Sequence, residues 1–545
     1  MRAVRIIHRE AMIDELSSEN GWGSGPVIVA QFSKKQGGVD PLGLRQVNLD
    51  LMALCLPGLT NNTKHVRAFS LLCWIHWMIQ KQAKSTGLHT LSRTQQRVFQ
   101  QKVETLFTWG HKLAGVSGVP GLRSSPPPPE EGGRVDLGFG AWGRKPGSTS
   151  LQAAVQYGPA LKVRNGYGFV EPLPKNFFRA TQVGEQMAKH LDQQLRKSSR
   201  YGLITDLERA KARPTDAKSL FDTWSIENLS SGERHVFESV FYRVDFIDGT
   251  DAQSLRSATI HAILQILRAS RSGLNEDEVR RALAWQWLPS GKQIQLRGGP
   301  LRAAKHWMVL QVRQAQRAAL EWLLTWVEHK LFERACSTGD LARVLIDELE
   351  GERFSESGSL TCEQTLARFQ RGFRGFEDYC KKSSAGHERC IFEMMYALTN
   401  SADATSPEIL QRLVGLHLST LMLSTLLEAD PTSEKDLREG GVRRISLSYQ
   451  LERWRKCKGQ QFSVWMTDLL ERWIIGQHMS VATLRDDGRS KIQRLRFSLE
   501  EHGFDFYPEK PLRPDISRDH LAAALSLMSE IRLIERGENG VFHVA

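Results

Sequence analysis

Cysteine is scarce in this sequence. Seven residues, Cys55, Cys73, Cys336, Cys362, Cys380, Cys390 and Cys457, are scattered through 545 positions. The number is odd and the spacings form no framework, which excludes a disulfide-stapled secreted domain and fits a reducing cytoplasm. Long apolar runs are also missing. The most apolar segment, LVGLHLSTLMLSTLL at 413–427, is interrupted by His417 and is shorter than the roughly 20 residues a membrane helix needs, so it reads as a buried helix. The N-terminal MRAVRIIHREAMIDELSSEN has basic residues but neither a continuous apolar segment nor a cleavage site, so no secretion signal and no membrane association are expected.

The familiar catalytic signatures are absent as well. There is no GxxxxGK[ST] phosphate loop, no HExxH, no GxSxG, and no strand–GxGxxG–helix unit. Gly21-Trp22-Gly23-Ser24-Gly25 is glycine-rich, but proline and a strand-like run follow it, so it cannot cradle phosphate at a helix start. Cys380, His387 and Cys390, with Cys362 upstream, are the nearest approach to a zinc site. Only His387 and Cys390 have ligand spacing and no CxxC accompanies them, so neither metal nor cofactor is expected. Glu328-His329-Lys330 has the letters of a metal-dependent nuclease motif, yet it falls inside a helical pattern where such chemistry prefers a strand.

What is present points to a mainly α, multi-domain protein. The length exceeds what one core usually organises, and 41% hydrophobic with 25% charged residues excludes a disordered chain. Fourteen tryptophans, several at helical spacing, imply extensive helix–helix contacts. The pattern divides the chain into an N-terminal helical unit (1–90, with a strand at 27–32), a module at 91–200 carrying a proline-rich insertion at 123–133, a helical scaffold at 201–435, and a basic C-terminal module at 436–545. Clear helix signals include the Ser92/Gln95 and Asn275/Glu278 capping boxes, Ser406-Pro407, and a long helix from about Pro300 to Ala335.

Two segments order their elements as winged helices do. In the first, a helix over about 149–162 hands over to the glycine-punctuated stretch at 165–172, and a helix with Val183, Met187, Leu191 and Leu195 closes it. Lys162, Arg164 and Tyr167 sit at the hand-over, where a wing would touch DNA. In the second, a helix containing Leu521, Leu525 and Met528 precedes two alternating runs around Asn539-Gly540, a strong hairpin signal. Net charge is +12, and residues 441–496 concentrate it with twelve basic against five acidic side chains. The candidate DNA contacts there are Arg443, Arg444, Arg453, Arg455, Lys456, Lys458, Arg485, Arg489, Lys491, Arg494 and Arg496, with Arg472 completing the twelve.

The stretches DPLGLRQVNLDLMALCLPGLTNNTKHVRAFSLLCWIHW (40–77) and SLQAAVQYGPALK (150–162) resemble uncharacterised bacterial proteins of antiphage and antiplasmid defence. That resemblance implies action against foreign DNA within a multi-subunit assembly and assigns no residue a role. The resulting expectation is a cytoplasmic, non-catalytic subunit that binds DNA, double-stranded by preference, and leaves the chemistry to a partner ATPase or nuclease. A protein–protein scaffold without DNA contact is the alternative, and a cryptic metal-dependent nuclease using Glu328 is the third reading.

Overall fold

The computed structural model describes residues 35–36 and 40–545 except 89–90, 131, 164–165, 175–176, 334–335, 350–353, 355–358, 402–404, 486–491, 502, 509 and 515–517. The strand expected at 27–32 lies outside the described residues. The protein is mainly helical, and among the described residues its strands occur only as two-stranded pairings. Two compact units share the chain. The first holds residues 52–280, 295–304 and 518–545; the second holds 40–51, 281–294 and 305–517.

The first unit is organised by helix Val66–Ser85, which packs on Gln182–Leu195 and Ser231–Phe241, while Arg93–Leu113 packs on Pro214–Trp224. The stripe Val66, Phe69, Cys73 is buried as its spacing requires, and Trp77 is half-buried with its indole donating to Glu185. Phe69 anchors a cluster of rings, with Tyr157, Tyr167, Phe169 and Phe237 centred 5.0–5.9 Å away. The Ser92/Gln95 capping box forms as its letters specify. Helix Gln182–Leu195 also forms, preceded by a hairpin of Val170–Leu173 and Phe177–Ala180.

The helix expected over about 149–162 does not form. Only single turns occur, at Pro146–Thr149 and Gly158–Leu161. The reason is local: at Gly158 the chain folds back so closely that a Cβ would lie 2.2 Å from the Gln152 carbonyl oxygen. A continuous helix would not bring those two residues together.

Two buried arginines stitch this unit. Arg67 pairs with Glu233 at 3.0 Å with both side chains fully buried. Arg256 is satisfied by backbone carbonyls. It donates to the carbonyls of Val240 and Phe241, closing the open end of helix Ser231–Phe241, and to that of Pro57.

The C-terminal residues 518–545 share this unit with 252–280. Helix Leu521–Glu530 is followed by the antiparallel strands Ile534–Arg536 and Phe542–Val544, the hairpin expected around Asn539-Gly540, where Gly540 takes φ +77°. Phe542 also exchanges both backbone hydrogen bonds with Leu274, at 3.1 and 2.8 Å. The basic segment to their N-terminal side belongs to the second unit.

Residues 307–328 of helix Gly298–Glu333 run through the core of the second unit, buried around their whole circumference. A helix sequestered on all sides must satisfy its polar groups internally. Arg317 pairs with Glu321 one turn on at 2.8 Å. Arg313 donates to the carbonyls of Arg444 and Ile445, and burial pulls its pKa down to about 9. Helix Pro407–Glu428 has mean hydropathy 1.3 over its best window and could cross a bilayer by length and composition, but 78% of that window is buried inside the protein, as in a core helix. The helical face of Phe462, Trp465, Leu469 and Trp473 is buried. Gly476 does not end the helix. The chain widens into π geometry over Leu469–Gly476 and continues as helix Gln477–Arg485.

Candidate nucleic-acid interface

The basic C-terminal segment is built from helix Leu447–Cys457, the π turn and helix Gln477–Arg485, followed by the hairpin Phe497–Glu500 and Gly503–Phe506. Ten of its twelve basic residues are described, Arg489 and Lys491 being outside. At least seven of the ten are held by carboxylates. Arg453 and Arg472 share Asp468 at 3.1 and 2.6 Å. Arg455 meets Glu428 at 3.1 Å and Lys458 meets Glu363 at 2.8 Å. Arg485 bonds Asp40 at 2.9 Å, and Arg444 approaches Asp50 more loosely at 4.0 Å. Arg496 bonds Glu328 at 2.9 Å, with 15% of the arginine and none of the glutamate side chain exposed. Arg443 and Lys456 are exposed and Arg494 is half-buried.

This pairing changes what the segment can do. A phosphate backbone is attracted by uncompensated charge, and a carboxylate about 3 Å from each guanidinium cancels most of the field a polyanion would feel. The exposed pairs, such as Lys458–Glu363, are weak enough to exchange partners. The shielded ones at Arg453 and Arg496 are not. The local charge excess read from sequence therefore does not present a continuous bare cationic face among the described residues.

The other candidate contacts fare differently from one another. Lys162 is exposed, 5.8 Å from the Phe178 ring. Arg164 lies outside the described residues. Tyr167 is corrected: its side chain is 5% exposed, packed among Phe69, Phe169, Phe237 and Phe241 with the Arg256 guanidinium 4.4 Å from its ring. It is a core residue because the short turn after Leu161 directs it inward rather than to a wing tip.

No protein-family description matches the chain, and no curated protein or solved structure matches it.

The nuclease letters are absorbed by the fold. Burial raises the pKa of the Glu328 carboxyl while Arg496 opposes that shift, and the same carboxylate also accepts from the Leu512 amide. Lys330 bonds Glu348 at 2.6 Å. Both charges face structural partners on other segments. Among the described residues no group of three His, Cys, Asp or Glu side chains is placed to hold a metal ion, and all seven cysteines are buried thiols.

Sequence spacing missed one feature. In the second unit an open cavity of about 200 Å³ is lined by Arg368, Arg389 and Arg412 together with Phe354 and Phe369. Its walls come from stretches far apart in sequence, so no local motif announces it.

Proposed function

We propose that the protein is a non-catalytic helical scaffold subunit whose principal partners are proteins, with DNA contact limited to its exposed cations. The order of elements in the first unit supports reading part of it as a winged helix interrupted by a long insertion. Helix Ala252–Ala269, the bridging residue Leu274 and the start of helix Glu276–Trp285, as far as Arg280, come first; helix Leu521–Glu530 and the two C-terminal strands follow. The first strand position pairs with the last, through Leu274 and Phe542, and Arg280 ties the two halves by bonding Asp519 at 2.7 Å.

One observation carries the scaffold reading. In a DNA-reading winged helix the helix before the hairpin lies in the major groove with an exposed polar or basic face. Here that helix, LAAALSLMSE, has no basic residue, and on the side not turned to the core Ser526 and Glu530 already bond other segments. Ser526 donates to the Lys64 carbonyl at 2.9 Å. Glu530 accepts from the Val66 amide and the His65 ring, both at 2.7 Å, and its own carbonyl accepts from Arg234 at 3.0 Å. The module thus spends its recognition face on protein packing.

Measuring DNA affinity against salt tests this. Phosphate contacts from all ten described cations of the C-terminal segment would give a slope of log K on log salt near −9, whereas the ion-paired arrangement predicts no steeper than about −2. The protein is also expected to retain a stoichiometric protein partner through nuclease treatment and high salt when purified from its native host. A steep slope from a chain that purifies alone would overturn the scaffold reading in favour of a DNA-binding one.

A further inference from the structure

The proline-rich insertion of the first unit is fixed at both ends and bare between them. On its N-terminal side helix Arg93–Leu113 holds the chain: Thr108 donates to the Pro120 carbonyl at 3.2 Å and Lys112 to that of Ser124 at 2.5 Å. On the other side the Glu130 amide donates to the Arg134 carbonyl at 2.8 Å, and the Glu130 carboxylate meets Lys211 at 2.6 Å. Val135–Asp136 then pairs antiparallel with Lys211–Ala212. Between these anchors the backbone of residues 125–129 makes no hydrogen bond among the described residues.

Proline chemistry sets the shape of this stretch. The ring holds φ at about −65°, and each residue that precedes a proline is kept out of the α region. Residues 125–128 each precede a proline, so the segment is extended as polyproline II. That helix has about three residues per turn, which makes it a three-edged rod. Exposure follows the same period: Ser124 and Pro127 are half-buried, whereas Arg123, Ser125, Pro126, Pro128 and Pro129 are exposed. One edge therefore lies on the protein and two face solvent. Arg123, Pro126 and Pro129 share one of the outward edges, over a length of roughly 19 Å at polyproline rise.

Charge on this rod is one-sided. The exposed Arg123 guanidinium has no carboxylate at ion-pair distance among the described residues, while Glu130 at the far end is answered by Lys211. A pre-formed polyproline rod loses little conformational freedom on binding, and aromatic-lined grooves recognise its paired prolines at a spacing of three. A cation one turn before the first of those prolines calls for an acidic pocket at the end of such a groove. We infer that this edge docks into an aromatic-lined polyproline groove of a partner protein, with Pro126 and Pro129 between its rings and Arg123 in an acidic pocket one turn away. The inference rests on the scaffold reading and names the chemistry by which one partner recognises the scaffold.

Calorimetric titration of the full chain with a purified SH3 domain that takes Arg-x-x-Pro-x-x-Pro ligands tests it. The domain is expected to bind the parent chain. Arg123→Glu, and separately the double change Pro126→Ala with Pro129→Ala, should each weaken that binding about tenfold or more, whereas Pro127→Ala on the inward edge should stay within about twofold. The melting temperature checks that each variant folds. Arg123→Glu alters an exposed side chain and no proline, so its result stands even where the alanines loosen the rod. The proposal is overturned by no binding of the domain, by Arg123→Glu or the double variant binding like the parent, or by Pro127→Ala weakening binding as much as the double variant. A native partner that the double variant retains through high salt also overturns it, and leaves the scaffold reading standing.

Discussion

Between pH 6.5 and 4 both units are expected to lose most of their stability, because five histidines are buried in neutral form. Burial pulls His417 down to about 3 and His76, His111, His478 and His520 to about 4, from an ordinary value of 6.5. The geometry explains why the neutral rings are locked. His111 accepts the Ile226 amide on Nε2 at 3.1 Å and so donates Nδ1–H to the Phe107 carbonyl at 2.7 Å. His478 likewise accepts from Arg496 and donates to Pro41, and His417 accepts the Trp465 indole N–H at 3.2 Å. A second proton would break an accepted hydrogen bond and leave a buried charge.

The direction of the pH effect follows from proton counting. Above pH 6.5 these histidines are neutral whether the chain is folded or not, and they contribute nothing. Below it the unfolded chain takes up protons that the folded chain refuses until about pH 4, so unfolding becomes easier as pH falls. Each histidine accounts for about 3 kcal/mol across that window. Two lie in the second unit and three in the first, which is comparable with the roughly 5–15 kcal/mol that holds a domain together. Carboxylates such as Asp192, held below 3.8 by hydrogen bonds from Trp74, Tyr201 and Arg196 that outweigh its desolvation, act only at lower pH, whereas Glu104, Glu321 and Glu328, raised by burial, offset part of the loss. Scanning calorimetry in steps through the window should show a continuous fall in melting temperature. His417→Gln, which keeps an acceptor for Trp465, should flatten the fall for the second unit. A melting temperature that stays constant through the window would refute the account.

Local chemistry made much of the fold readable. The Ser92 and Asn275 caps, proline at the start of helix Pro407–Glu428 and the turn at Asn539-Gly540 each satisfy or fix backbone groups within four residues, so their effect is written where they stand. What escaped reading depends on distance. Gly158 breaks a helical pattern because of a close approach to Gln152. Gly503 in the Phe497–Phe506 hairpin has φ +125°, and a Cβ there would lie 2.8 Å from the Cys336 backbone. The Leu274–Phe542 pairing joins residues on either side of the second unit's main segment. The basic segment shows the same limit most plainly: its charge was countable, but Asp40, Asp50, Glu328, Glu363 and Glu428, which answer that charge, come from elsewhere in the chain.

Removing Glu328 is therefore expected to damage the fold and no reaction. Its carboxylate is fully buried against Arg496, which reaches the Lys510 carbonyl as well. Glu328→Ala would leave a guanidinium in a largely shielded site without its counter-charge, a change that costs about 3–5 kcal/mol when one partner of a buried pair is removed. The paired replacement Glu328→Leu with Arg496→Met removes both charges and keeps comparable volume, so it should recover most of that loss. Urea unfolding of the second unit, followed by tryptophan fluorescence, measures the difference. A catalytic Glu328 gives the opposite pattern: metal-dependent cleavage of plasmid by the parent chain, abolished in Glu328→Ala with little change in stability. If the single variant unfolds within about 1 kcal/mol of the parent, or the double variant is no more stable than the single, Arg496 does not depend on this carboxylate. Arg496 then returns to the set of cations that a phosphate backbone could recruit.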